Sequence, residues 1–163
     1  MNNVNVGALN NSKNAIEKNP EMGFKKWKTS INWLDGLVCQ LNSRSFQTTN
    51  SDVGQALGGT DSAPTPIEHL LNAAGSCFTT TFQMLASQEN IKVYDFSLEV
   101  ESDFSAVPFL GINDDYAGIY NTVFKVDVHA NASDERIIEI AKLAFSRSPV
   151  VDSLKFQPEL IIN

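Results

Sequence analysis

Cysteine and histidine are scarce in this chain, which has two of each among its 163 residues. Cys39 and Cys77 lie far apart in a sequence with no sign of secretion, so we expect free thiols and no structural disulfide. A metal site needs about four ligands at close spacing, whereas His69 and His129 stand away from other plausible ligands. We therefore expect no metal ion and no cofactor.

Basic residues are also few, with 12 Lys and Arg against 19 Asp and Glu and a formal net charge of -7. Binding to nucleic acid or to an anionic membrane depends on clustered Lys and Arg, which attract phosphate groups. The basic residues of this chain are scattered instead. The composition therefore argues against both nucleic acid and membrane as partners.

Long apolar runs are absent as well. No stretch approaches the roughly 20 apolar residues that span a bilayer. The N-terminus is rich in asparagine and lacks the basic and then apolar pattern of a signal peptide. We therefore expect a cytoplasmic protein.

What the chain does contain is enough for one domain, since 163 residues can bury about two thirds of the unfolded surface. We predict an N-terminal extension or short helix over residues 1–23 and a single domain over residues 24–163. The helix is predicted from Val4 to Lys18. Three strands with a hairpin turn at Asp35-Gly36 follow, at Lys25 to Leu34, Leu37 to Asn42 and Arg44 to Thr49.

A long helix from Pro66 to about Gln88 is the predicted central element. Thr65 and Glu68 match a capping box, and Pro66 falls at the first helical position, where its missing N–H costs nothing. Small residues around Gly75 leave room for another backbone to approach. The predicted apolar face consists of Leu70, Ala73, Ala74, Cys77, Thr81, Met84 and Leu85.

The rest of the chain is predicted as two strands, a helix and a closing strand. A solvated loop with Asp114 and Asp115 separates the first two strands. Ser133 is the expected N-cap of the helix, and Pro149 is expected to stop it. The predicted bounds are Lys92 to Phe104, Ile119 to Ala130, Asp134 to about Arg147, and Phe156 to Ile162.

Four segments occur in an order and spacing that cover roughly residues 24 to 163. They are the hairpin at Trp33 to Gly36, the block ALGGTDSAPTPIEHLLNAAGSC ending at Cys77, FLGI at Phe109 to Ile112, and SPVVDSL at Ser148 to Leu154. Together they resemble the OsmC/Ohr family, and specifically its OsmC-like branch. The resemblance implies an α+β fold and an intertwined homodimer, with two long central helices wrapped by curved antiparallel sheets.

The resemblance also implies a chemistry. Family members of the peroxidase kind reduce organic hydroperoxides with an attacking cysteine and a resolving cysteine. Cys77 matches the attacking residue, but the resolving position is Ser148, whose hydroxyl cannot form a disulfide. Cys39 could replace the resolving cysteine if its Cα comes within about 7 Å of that of Cys77.

An arginine and a glutamate hold the attacking thiolate ready in these relatives. The matching hairpin NWLDG has no arginine, and Arg44 and Arg147 are the available substitutes. Glu68 matches the glutamate, although the capping box alone also accounts for it. Cys77 likewise has a structural interpretation, as a small buried hydrophobe on a packed helix.

Two functions of different classes remain open on the sequence. One is a thiol-dependent organic hydroperoxide reductase that uses Cys77 and Glu68, with an external thiol or Cys39 completing the cycle. The alternative is a homodimer without peroxidase activity that binds a small apolar ligand in its interface pocket, with Cys77 as part of the lining, since such pockets are mostly apolar with a few polar groups.

Overall fold

The computed structural model describes residues 1–155 and 158–162 and has the expected α+β architecture. The chain forms two compact units: a meander unit, Gly7–Leu70, and a core unit, Met1–Val6 with Leu71–Asn163. The helices are α1 Val6–Lys18, α2 Pro66–Gln88, α3 Ala106–Phe109, α4 Asp134–Ser146 and α5 Pro149–Asp152. The strands are β1 Ser30–Asp35, β2 Val38–Asn42, β3 Thr49–Ser51, β4 Val93–Asp103, β5 Tyr120–Ala130 and β6 Glu159–Ile162.

The meander unit contains an antiparallel sheet in the order β1-β2-β3. The predicted turn at Asp35-Gly36 is confirmed, with Gly36 in the left-handed region at φ 51°. The third strand differs from its predicted span of Arg44 to Thr49. Arg44 has φ 55° and the Phe46 N–H donates to the Ser43 carbonyl at 3.2 Å, so this stretch is a turn that delays the strand to Thr49.

Large apolar side chains of the meander unit remain exposed. Every residue of β1 is exposed, and Trp27 and Trp33 keep 81% and 70% of their surface accessible. Large exposed apolar side chains in such number commonly mark an interaction site. The other large apolar residues exposed between positions 24 and 46 are Phe24, Ile31, Leu34, Leu37 and Phe46.

Helix α2 has the bounds that its sequence signals predict, but its buried face is rotated from the predicted one. The face centres on Phe78 and Phe82, which are fully buried, while Ala73 is exposed and Leu70 is 38% exposed. The phenylalanines determine which face of α2 is buried, because burying a phenylalanine removes far more apolar surface from water than burying an alanine does. The buried residues are Ala74, Gly75, Phe78, Thr81, Phe82, Leu85, Ala86 and Ser87.

Aromatic rings from four elements meet at Phe78 in the core unit. Its ring centroid lies 6.3 Å from that of Phe96 on β4, 6.0 Å from Phe124 on β5 and 6.1 Å from Phe145 on α4. The last two pairs are edge-to-face, a favoured arrangement for aromatic rings. This cluster fixes α2 and α4 against the sheet.

The second sheet has the order β4-β5-β6. The long pair β4 and β5 is antiparallel as expected, whereas β6 pairs with β5 in parallel, from Val123 with Glu159 to Val126 with Ile162. The fold class is as expected, but the sheet is mixed at this edge instead of wholly antiparallel, because α4 carries the chain back before β6 begins. Phe156 and Gln157 of the predicted closing strand lie outside the described residues.

The two segments of the core unit are joined through hydrogen bonds of the Asn2 side chain. Its Nδ2 donates to Ser87 Oγ at 3.0 Å and to the Ile91 carbonyl at 2.9 Å, while its Oδ1 accepts from the Val93 N–H at 3.0 Å. One side-chain amide therefore hydrogen-bonds to the end of α2, to the connecting loop and to the start of β4.

Among the described residues, no helix is long and apolar enough to cross a membrane.

Candidate active site

Cys77 lies in the middle of α2, at the edge of the buried face. Its side chain is partly buried and its thiol is free. Ala74 and Phe78 beside it are fully buried, so the sulfur lies next to the packed interior. The first turn of α2 is about three turns away, beyond the reach of the helix dipole.

Ser148, which the sequence resemblance matches to a resolving cysteine, lies in the core unit and is fully buried. Its hydroxyl donates to the Ala144 carbonyl at 2.7 Å and lies 3.4 Å from the Thr81 hydroxyl. Thr81 in turn donates to the Cys77 carbonyl at 2.9 Å. The structure therefore brings Ser148 to the helical turn that follows Cys77.

Glu68 forms the predicted capping box in the meander unit. Its Oε2 accepts from the Thr65 N–H at 2.6 Å and from Thr65 Oγ1 at 2.9 Å, and the Glu68 N–H donates to Thr65 Oγ1 at 3.2 Å. The bond from the Thr65 N–H is the main reason that the pKa of Glu68 is lowered. Both hydrogen bonds that Glu68 accepts go to Oε2, so Oε1 takes no part in the capping box.

Sequence reasoning missed Asp52, a fully buried carboxylate directly after β3. Its Oδ1 accepts from the Val53 N–H at 2.7 Å. Its Oδ2 accepts from both the N–H and the hydroxyl of Thr60, at 3.1 and 2.6 Å, and from both those of Ser62, at 3.0 and 2.9 Å. These bonds, the Thr60 hydroxyl first, hold the pKa of Asp52 well below its usual range.

Gly59 is the residue that lets this loop close around Asp52. A Cβ at Gly59 would lie 1.7 Å from the Val53 carbonyl oxygen and 2.9 Å from Asp52 Oδ1. Side chains therefore do not fit there, whatever the backbone angles. The block ALGGTDSAPTPIEHLLNAAGSC therefore requires glycine at position 59 for steric reasons.

The second cysteine, Cys39, is a free, partly buried thiol on β2. It lies opposite Trp33 of β1 and Ser51 of β3 in the sheet of the meander unit. This position is consistent with a packing role in the middle strand.

Of the two arginines proposed as substitutes, only Arg147 belongs to the same unit as Cys77. It caps the C-terminus of α4, is exposed, and directly precedes Ser148. Arg44 stacks over the Phe46 ring at 4.5 Å in the turn after β2. The remaining arginine, Arg136, is bound by Glu89 and Glu139.

The histidines and the acidic pair do not gather into a site. His69 Nε2 donates to the Asn50 carbonyl at 3.0 Å, and the His129 ring packs 5.1 Å from that of Tyr94. Asp114 and Asp115 lie in an exposed loop. Across residues 1–155 and 158–162, no group of three or more His, Cys, Asp and Glu side chains could hold a metal ion.

A groove of about 380 Å³ lies between α2 and β4 in the core unit. At Gly75 the helix approaches β4 closely, since a Cβ there would lie 3.1 Å from Val100 Cγ2 and 3.2 Å from Leu98 Cδ2. The small residues of α2 therefore make room for side chains of β4. Cys77 does not line this groove. The lining residues are Leu71, Asn72, Gly75, Ser76, Thr79, Phe96, Leu98 and Val100.

The sequence matches the family model described as OsmC-like protein over residues 59–163. The matched region includes α2 with Cys77 and both strands of the long antiparallel pair. The chain belongs to the OsmC-like protein family. A comparison with curated proteins finds no match to this chain.

Solved structures of similar fold support this assignment. An OsmC-like protein from Mycoplasma pneumoniae is 19% identical, with 85% of this chain and 95% of that chain covered and a TM-score of 0.71. An organic hydroperoxide resistance protein OsmC from Legionella pneumophila is 13% identical, with 85% and 97% covered and a TM-score of 0.60.

A third similar structure contains a small molecule. It is a putative organic hydroperoxide resistance protein from Vibrio cholerae with captopril bound in one of its active sites. The identity is 13%, the coverage is 85% of this chain and 92% of that chain, and the TM-score is 0.62. At these identities the likeness concerns the fold.

Proposed function

We propose that this protein is a homodimeric, thiol-dependent organic hydroperoxide reductase in which Cys77 is the nucleophile. The observation that carries the proposal is the free, partly buried thiol of Cys77 on α2, one turn before Thr81, whose hydroxyl lies 3.4 Å from that of Ser148. Membership of the OsmC-like family supports it, as do similar structures named organic hydroperoxide resistance proteins. Glu68 takes the supporting role that the family resemblance assigns.

The first step is attack of the Cys77 thiolate on the hydroperoxide. A sulfur–oxygen bond forms and the oxygen–oxygen bond breaks, so that the substrate leaves as an alkoxide and takes up a proton to become an alcohol. Cys77 becomes a sulfenic acid. Sulfur is oxidised by two electrons and the peroxide is reduced by two.

In the second step a thiol from solution takes the place of a resolving cysteine, since the hydroxyl of Ser148 cannot form a disulfide. One thiol displaces water from the sulfenic acid and forms a mixed disulfide with Cys77. A second thiol attacks that disulfide, releases Cys77 and leaves as the oxidised thiol. The sum is one hydroperoxide and two thiols converted into one alcohol, one water and one disulfide.

The homodimer is supported by the exposed apolar surface of the meander unit. Trp27, Trp33 and Phe46 together with their apolar neighbours would leave water if a second copy covered them. Sedimentation of the purified chain tests this part of the proposal. A protein that sediments as a monomer at micromolar concentration would contradict it.

Peroxide treatment followed by mass spectrometry tests the chemistry. We expect one added oxygen on Cys77 with cumene hydroperoxide, trapped by a sulfenic-acid reagent, and alcohol production once a small thiol is supplied. Cys77→Ser should abolish both signals, and Cys39→Ser should retain both if the external thiol is the reductant. A Cys77 that stays reduced under excess hydroperoxide would exclude the reductase.

The groove between α2 and β4 favours a second candidate, a homodimer that binds a small apolar ligand without peroxidase activity. Its volume of about 380 Å³ is within the range of small-molecule sites. Because Cys77 lies outside the lining, ligand binding should survive Cys77→Ala. Calorimetry with small apolar ligands measures this, and a large loss of affinity in that variant counts against the second candidate.

A further inference from the structure

The loop between β3 and α2 is organised around one carboxylate. Asp52 accepts five hydrogen bonds from three loop residues, Val53, Thr60 and Ser62. Its own backbone N–H donates to the Pro64 carbonyl at 3.3 Å, immediately before the capping box. Both ends of the loop therefore meet at this residue.

The first turn of α2 is attached to the same place by a second contact. His69, which follows Glu68, donates from Nε2 to the carbonyl of Asn50, two residues before Asp52. The turn is thus connected on one side through Pro64 to Asp52 and on the other through His69 to β3. Glu68 lies between these two attachments.

We propose that Asp52 is a positioning residue, which holds the loop 53–64 and through it fixes the first turn of α2 and the Glu68 carboxylate. The burial of Asp52 supports this role, because a buried carboxylate needs several hydrogen-bond donors. A buried carboxylate that loses its donors destabilises the folded state. Its effect on catalysis rests on the proposed reductase function. Its effect on the first turn of α2 does not.

Asp52→Asn tests the proposal with almost no change in shape. Four of the five accepted bonds go to Oδ2, and an amide nitrogen at either position cannot accept. Asp61→Asn is the matched control, because Asp61 lies in the same loop with its side chain exposed. Asparagine also tolerates the φ of 58° at that position.

Hydrogen exchange of the Glu68 and His69 amides is the primary measurement, since these N–H groups bond to Thr65 in the first turn. We expect at least about tenfold faster exchange in Asp52→Asn, the factor that one lost charge-assisted hydrogen bond produces. The Phe82 amide of the core unit should accelerate less than the Glu68 and His69 amides, and by no more than the loss of global stability accounts for. Asp61→Asn should keep wild-type rates at all three amides.

Thr60 supplies a conservative rescue. Thr60→Val removes the hydroxyl that donates to Asp52 Oδ2 at 2.6 Å, whereas Thr60→Ser keeps it. We expect faster exchange at Glu68 and His69 in the valine variant and nearly wild-type exchange in the serine variant. For hydroperoxide reduction we expect kcat to fall about tenfold in Asp52→Asn with KM unchanged.

The outcomes separate the two proposals. Wild-type exchange at Glu68 and His69 in Asp52→Asn would overturn the positioning role, whatever the activity. Equal acceleration at Phe82 would also overturn it, because the change would then be general unfolding. Local acceleration with no hydroperoxide reduction in any variant, wild type included, would support the positioning role and overturn the reductase.

Discussion

Ser148 and Thr81 are hydroxyl neighbours in the interior of the core unit, with their oxygens 3.4 Å apart. Thr81 lies one turn after Cys77 on α2 and donates to its carbonyl. Ser148, which the sequence resemblance matches to a resolving cysteine, therefore contacts the helical turn that follows the candidate nucleophile. What the protein lacks at this position is sulfur.

The substitution Ser148→Cys should place a thiol at this position. After one equivalent of hydroperoxide, we expect this variant to form a disulfide between positions 77 and 148, because a thiol next to a sulfenic acid condenses with loss of water. Non-reducing peptide mass spectrometry detects the cross-linked peptide. Ser146→Cys, two residues away on the exposed side of α4, serves as control. Equal cross-linking in both variants would contradict the proposed arrangement.

Glu68→Gln separates capping from catalysis. Glutamine also completes a capping box, so thermal stability should stay near that of the wild type. If the Glu68 charge supports the reaction, hydroperoxide reduction should fall about a hundredfold, the typical loss for one preorganised electrostatic partner. Glu68→Ala should lose both stability and activity. Full activity in the glutamine variant would leave Glu68 as a cap alone.

Gly59→Ala should destabilise the protein by roughly 2 kcal/mol or more, since its Cβ would overlap the Val53 carbonyl at 1.7 Å. Gly54→Ala is the control in the same loop. It has φ -61° and no heavy atom within 4 Å of the position that a Cβ would take, so we expect a gain of about 0.4–1 kcal/mol. Urea unfolding measures both. Similar midpoints for the two variants would contradict the steric argument.

Asp52 should also shape the pH dependence of stability. Its pKa is lowered in the folded protein, so its contribution is fully present above the unfolded value of about 3.9 and is lost as the pH falls toward the folded pKa. Wild-type stability should therefore fall below about pH 4. Asp52→Asn should lose stability at neutral pH and show a flatter acid limb in urea unfolding between about pH 2 and pH 7. A parallel acid limb would contradict this assignment.

The sequence predicts those elements whose ends carry local signals. Pro66 and the Thr65–Glu68 box define the start of α2, and the aspartate-glycine pair defines the first hairpin, because each signal acts within a few residues. Ser133 caps α4 in the same way, accepting from the Arg136 N–H at 3.4 Å. Family resemblance adds Cys77, which lies on α2, and Ser148, which directly precedes α5.

The missed features depend on residues that are distant in the sequence. Phe78 becomes the centre of the buried face through rings on β4, β5 and α4, which the periodicity of one helix does not contain. Asp52 alone after a strand resembles an ordinary loop residue. Thr60 and Ser62, eight and ten residues later, are the only local hint, since small hydroxyl residues beside glycine often hydrogen-bond to a backbone or side chain nearby.

The Asn2 side chain has a consequence for the order of folding. It closes onto Val93 across 91 residues, a separation that includes the whole meander unit. Bringing such distant segments together costs chain entropy that grows with the logarithm of the loop length. The partners of Asn2 lie together only once α2 and β4 have formed, so we expect the amino-terminal residues to dock late, onto a structure whose aromatic centre does not include them.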